Sequence, residues 1–183
     1  MKTYIIVEGS FDAEVLQRML APDTLLVSHI IVGGGKSSGA SLARSLLSQR
    51  AEPVILVMDA DTVHPETLLE QQKVYTDLLG AVAINTPYEV LLAIPELEVI
   101  FFQDIRLLEE VLAIHVSQET IVNGAYQPRQ TLNKLLYASP KRLNDRSDFL
   151  RSLDETTCKK LAQHALFQSI NAFVADATVI AAP

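Results

Sequence analysis

The sequence predicts an α/β fold, a mainly parallel sheet flanked by helices, with a helical extension on the C-terminal side. Three observations predict it. Short apolar, β-branched runs alternate with stretches of helical spacing over residues 3–115. Glycine and proline punctuate the joins. Polar residues gather just after the apolar runs rather than inside them. Alternation of this kind builds βαβ units with right-handed crossovers.

Residues 3–7, TYIIV, read as a buried strand broken by Gly9, and Val15, Leu16, Met19 and Leu20 then stand at helical spacing. Residues 25–32, LLVSHIIV, read as a second strand ended by Gly33-Gly34-Gly35. A helix follows over residues 37–49, with Leu42, Leu46 and Leu47 on one face. Pro53 precedes a third strand, Val54 to Met58, which ends in Asp59-Ala60-Asp61. Pro65 suits the first turn of the next helix, which runs to about Leu79. YEVLLAI, residues 88–94, is a fourth strand closed by Pro95, and Glu96 to Phe102 begin a helical stretch. Beyond about residue 115 strand signals fade, and residues 128–175 read as several helices divided at Ser139-Pro140. The expected division is an α/β domain over residues 1–115 and a helical extension over residues 116–183 packed on it. The tail ATVIAAP reads as a late strand or a packed end.

Composition narrows the class. The chain has 183 residues, 49% of them hydrophobic, so a sizeable core is available. Cys158 is the single cysteine; it forms no internal disulfide and no multi-cysteine zinc site, and it suits a reducing compartment. The N-terminal apolar run reads as a strand rather than a signal peptide, and no run approaches the roughly 20 residues that span a bilayer. A cytoplasmic protein without a membrane partner is expected. Net charge is −7, unevenly spread: residues 1–125 hold 7 Lys/Arg and 17 Asp/Glu, residues 126–160 hold 8 and 4. The acidic part repels a phosphate backbone unless a cation intervenes. The basic stretch (Arg129, Lys134, Lys141, Arg142, Arg146, Arg151, Lys159, Lys160) offers a nucleic-acid footprint or, more plainly, solvated helix faces. The long apolar helices serve a monomer core or a homodimer face equally well.

In parallel sheets ligands sit beyond the carboxyl ends of the strands. Glu8, the triple glycine, Asp59 with Asp61, and Glu96 with Glu98 all follow strand ends. In an extended strand Asp59 and Asp61 face the same way, and a hard divalent cation relieves the repulsion between two such carboxylates. Mg²⁺ takes one or two carboxylates plus water and substrate phosphate. The plain alternative is a pair of turn aspartates. Glu8 is a third carboxylate or a helix N-terminal partner, and Asp12 is a first-turn helix residue. Glu96 and Glu98 would add a second metal, about 4 Å from the first in two-metal sites, or simply head a helix. GGGKSSG, residues 33–39, fails the Walker pattern because Ile30 stands where its first glycine belongs. Gly33, Gly34 and Gly35 then serve a tight turn or close approach, or a phosphate cradle ahead of a helix, and Lys36 neutralises phosphoryl charge or faces solvent. No two of the four histidines stand at i, i+4; His64, close after Asp61, is the one near the candidate site.

IIVEGSFDAEVL (residues 5–16) resembles the first motif of the Toprim family, and VILVMDADT (residues 54–62) resembles the second, a hydrophobic strand ending in Asp-x-Asp. The first is closest to the form in bacterial-type primases. IPELEVIFFQD also resembles a Pro-x-x-Glu segment of OLD-like and related small Toprim proteins. The resemblance covers residues 3–115 and implies an acidic site for Mg²⁺ or Mn²⁺, with Glu8 as acid/base or metal-bridging residue and Asp59 and Asp61 as metal ligands. The single Cys158 does not fit the familiar zinc module of primases, and no topoisomerase machinery is expected within 183 residues. The resemblance therefore implies metal-dependent phosphodiester hydrolysis or phosphoryl transfer on nucleic acid, with an ATPase, where one is used, as a separate partner. The competing expectation is a non-catalytic Toprim-like module that binds a nucleotide, nucleic acid or a protein partner.

Overall fold

The computed structural model describes residues 2–180. Its centre is one sheet of four strands, β1 (Thr3–Val7), β2 (Ser28–Val32), β3 (Val54–Asp59) and β4 (Tyr88–Ala93), in the order β2-β1-β3-β4. All pairings are parallel, with Thr3 opposite Ser28, Tyr4 opposite Val54 and Val54 opposite Tyr88. Strand β3 is buried along its whole length, which is why it reads as an unbroken apolar run rather than an alternating one.

Alternation along the strands divides the core in two. Ile6, Val54, Leu56 and Met58 face α3 (Lys36–Arg50) and α4 (Pro65–Gly80), which contribute Ala40, Ala43, Leu46, Leu47 and Leu79. Helix α3 lies close to the β2 exit: a Cβ on Gly33 would stand 2.6 Å from the Gly39 Cα, so Gly33 needs glycine for contact rather than for flexibility. Ile5, Val7, Ile55 and Val57 face the other side, covered by α1 (Ser10–Met19) and by the segments that follow β4. These are a 3₁₀ helix (Leu97–Phe102), α5 (Ile105–Leu112), α6 (Gln118–Tyr126), α7 (Pro128–Ala138), α8 (Arg146–Ser152), α9 (Glu155–Leu161) and α10 (Ala165–Ile180). Phe101 of the 3₁₀ helix meets Phe149 of α8 edge-to-face at 5.0 Å, and both belong to the cluster that holds Ile5, Leu16, Leu132 and Phe167. The C-terminal helices thus share one core with the sheet. The arrangement is a Rossmann-like parallel α/β layer with a helical C-terminal extension.

One expected strand is divided. Residues 22–27 form a short helix, α2 (Pro22–Val27), and only Ser28 onward is strand. Pro22 sits at the first helical position, where its fixed φ and missing N–H cost nothing, and Leu25 and Val27 turn toward the core from a helix rather than a pleat. Asn171 of α10 anchors α2, its Oδ1 accepting from Thr24 Oγ1 at 2.7 Å. At the tail, Ala177 to Ile180 continue α10, and residues 181–183 lie outside the described residues. Among the described residues no helix is long and apolar enough to cross a membrane.

Candidate active site

The strand order sets the position of the site. The chain leaves β1 for β2 on one side and then returns past β1 to β3 on the other. The loops after β1 and β3 therefore part in opposite directions and leave a crevice beyond the strand ends, the switch point at which open α/β sheets bind ligands. Glu8 follows β1 and Asp59 ends β3, so these two carboxylates stand at that crevice. They are joined: Glu8 Oε1 accepts from the Asp59 N–H at 2.9 Å.

The triple glycine is shaped around Glu8. The Glu8 carbonyl accepts from the N–H groups of Gly34 (3.1 Å) and Gly35 (3.2 Å), and Val7 O accepts from Gly33 N at 2.7 Å. Gly34 and Gly35 have φ of 75° and 108°, a region that favours glycine. The amides that the sequence offers to a phosphate are thus bonded to the β1 exit. Lys36, the first residue of α3, reaches across to Asp61, with Nζ 2.6 Å from Oδ2.

Asp59 and Asp61 do not share one face as an extended strand would place them. The extended geometry ends at Asp59, and Asp61 takes a left-handed φ of 55°. Ala60 N and Asp61 N donate to Ala93 O (2.9 Å) and Pro95 O (2.8 Å), so the turn stays tied to the β4 exit. Asp61 then faces Lys36, whereas Asp59 turns inward, accepts from Leu97 N at 2.9 Å and is 6% exposed. His64 is exposed ahead of α4.

The inner half of the site holds residues that the spacing of the sequence does not reveal. Arg129, at the start of α7, pairs with Asp59, donates through Nε to Glu98 at 3.1 Å, and lies with Nη1 3.6 Å from Glu96. Its backbone N–H also donates to Glu96 at 3.0 Å. Arg146, at the start of α8, pairs with Glu98 and lies 4.6 Å from the Phe11 ring centre. Glu98 is wholly buried, with Oε1 shared by both arginines and Oε2 without a partner among the described residues. Glu96 and Glu98, expected to hold a second metal or head a helix, therefore flank the start of the 3₁₀ helix and share one guanidinium. Asp12 accepts from Gly9 N at 2.8 Å, the structural role its position in α1 suggests. A cavity of about 280 Å³ opens onto this group, lined by Glu8, Asp12, Gly35, Asp59, Arg129 and Arg146.

Carboxylates outnumber cations here, and their acidities respond. Burial, and then the nearby Asp12 carboxylate, push the Asp59 carboxyl up to about 7 against the opposing pull of Arg129. Burial also raises Glu8 and Asp12. Lys36 loses some basicity to burial, but the Asp61 hydrogen bond and charge outweigh this and its pKa is raised. Asp59 therefore binds a proton more tightly in the folded protein than in the unfolded chain, where it titrates near 3.8. Stability from this group is complete below that value and lost as pH rises toward about 7. Urea unfolding across this range is expected to show the fall in wild type and a flatter profile in Asp59→Asn, which keeps an acceptor for Leu97 N. Parallel profiles would rule Asp59 out as the source.

Two members of the basic stretch are drawn into the site and two more form ion pairs at the surface. Arg129 and Arg146 serve the carboxylates, Arg151 pairs with Asp148 at 2.6 Å, and Lys159 pairs with Glu155 at 2.7 Å. Among the described residues no three His, Cys, Asp or Glu side chains gather at a spacing that holds a metal ion. The donors at the crevice are hard carboxylate oxygens on separate strand ends. That set suits Mg²⁺, which needs one or two carboxylates and completes its shell with water and substrate oxygens, and it does not form an all-protein cage. Neither the known protein-family models nor the curated proteins include a match to this chain.

Proposed function

We propose that the chain is a Toprim-type hydrolase or phosphotransferase acting on phosphodiesters of nucleic acid, with Mg²⁺ or Mn²⁺ as cofactor. The observation that carries this reading is the pairing of Glu8 with the Asp59 N–H at the switch point of a parallel sheet. Glu8, Asp59 and Asp61 are the residues that would hold the cation. When bound, it supplies positive charge to the scissile phosphate and acidifies water. Glu8, its basicity raised by burial, would accept a proton from the attacking water. Lys36, held by Asp61 at the mouth of the crevice, offers charge to the phosphoryl oxygens. A separate ATPase partner is compatible with this reading.

One observation favours a second reading, a non-catalytic module that binds a nucleotide, nucleic acid or protein. Arg129 and Arg146 already serve as internal counter-ions to Asp59, Glu96 and Glu98. Calorimetric titration with Mg²⁺ and Mn²⁺ separates the two. Binding by wild type that disappears in Asp59→Ala/Asp61→Ala is the expected result. Identical heats from both proteins, or none from wild type with and without an oligonucleotide present, would decide for the inert module.

A further inference from the structure

A second cavity, of about 360 Å³, adjoins the carboxylates where α6 gives way to α7. One wall belongs to the site already described: Asp61, Glu96 and Arg129. The other consists of Tyr126, Gln127, Gln130 and Asn133. Tyr126, the last residue of α6, is 62% exposed, although the chain has only five tyrosines and no tryptophan. Gln130 and Asn133 stand three apart on α7 and so share a face. Among the described residues, Arg129 is the one member of α7 whose side chain hydrogen-bonds to another residue. The amides of Gln127, Gln130 and Asn133 thus keep both donors and acceptors open toward solvent.

The chemistry of this wall is specific in two respects. Carboxylates on the facing side disfavour a phosphate or any other anion in the cavity itself. An exposed phenol ring beside open amides favours a flat, uncharged group that carries donors and acceptors on its edge. A nucleobase has both properties: its face stacks on aromatic rings regardless of sequence, and its edge matches the paired donor and acceptor of Gln or Asn. We infer that this cavity is a nucleobase subsite, in which a base stacks on Tyr126 and meets the amides of α7 while its phosphate lies toward Lys36 and the crevice. This deepens the hydrolase reading and rests on it for the direction of the phosphate, but the base pocket is testable without turnover. A base reaches the subsite either from a free nucleotide or from a single strand; a duplex hides the face that Tyr126 would meet.

The test uses the full chain with Mg²⁺ present and two probes, AMP and a fluorescently labelled single-stranded oligoadenylate. Tyr126→Ala is expected to weaken binding about tenfold, the size of one lost base–aromatic stack. Tyr126→Phe, which keeps the ring, should bind within about twofold of wild type on the same grounds. Tyr137→Ala is the control: Tyr137, on α7, is 95% exposed and does not line the cavity. Loss for both probes identifies a free nucleotide as sufficient; loss for the oligonucleotide alone identifies a strand. The proposal is overturned if neither probe binds wild type, if Tyr126→Ala binds as tightly, or if Tyr137→Ala loses as much. Metal binding that disappears in Asp59→Ala/Asp61→Ala, together with no base binding, sinks the subsite alone. Tyr126-dependent base binding without metal binding sinks the hydrolase reading alone.

Discussion

Arg129→Ala lowers the stability of the fold by about 3 kcal/mol, the low end of what removing one partner of a buried ion pair costs. The low end applies because Arg146 still neutralises part of Glu98 and because Arg129 is itself 39% exposed. For a chain of this size each kcal/mol moves the unfolding midpoint by about 2–4 °C, so a drop of about 6–12 °C is expected in a thermal melt. The cost arises from what is left behind: a wholly buried Glu98 with one unpartnered oxygen, and Asp59 without its guanidinium. Adding Glu98→Gln to Arg129→Ala should therefore restore part of the loss, since it removes the uncompensated charge. A single variant that melts with wild type would show that the arginine is not a structural counter-ion. On the proposed reading, a cation and Arg129 compete for Asp59, so the same variant should bind Mg²⁺ more tightly than wild type.

Glu8→Gln is expected to reduce oligonucleotide hydrolysis in Mg²⁺ or Mn²⁺ by about 10²–10⁴-fold, the usual contribution of a general base. The fold should be unaffected. The side-chain amide oxygen introduced at position 8 still accepts from Asp59 N–H, the contact that Glu8 Oε1 makes at 2.9 Å, and the backbone carbonyl that holds Gly34 and Gly35 is unchanged. Unfolding midpoints measured beside the rates separate the two effects. Wild-type rates in this variant would remove Glu8 from the chemistry and leave it a bracket between β1 and β3.

The helices that frame the sheet were legible for local reasons. Leu42, Leu46 and Leu47 mark one face of α3, and Pro65 heads α4. Residues 25–32 were not, because a short apolar run has no period that separates strand from helix. Pro22, just upstream, was the signal that the chain would enter that run as a helix. The triple glycine was legible as a tight turn, but its amides point back to Val7 and Glu8 rather than outward.

By itself the sequence determined the parallel α/β architecture, the placing of Glu8, Asp59, Asp61, Glu96 and Glu98 at or just after strand ends, and the helical character of the C-terminal third. These follow from short-range pattern: apolar periodicity, glycine and proline at the joins, and polar residues where strands stop. Only the tertiary structure decided which carboxylates meet. Asp61 leaves the strand direction through one left-handed residue and turns to Lys36, and Asp59 takes Arg129 from a helix 70 positions away in the chain. No local pattern encodes that second contact, because the burial that drives it exists only once α7 and α8 have docked beside the sheet. Desolvation makes an unpaired Glu98 or Asp59 costly, and the arginines that answer it look, in the sequence, like any other cations on a solvated helix.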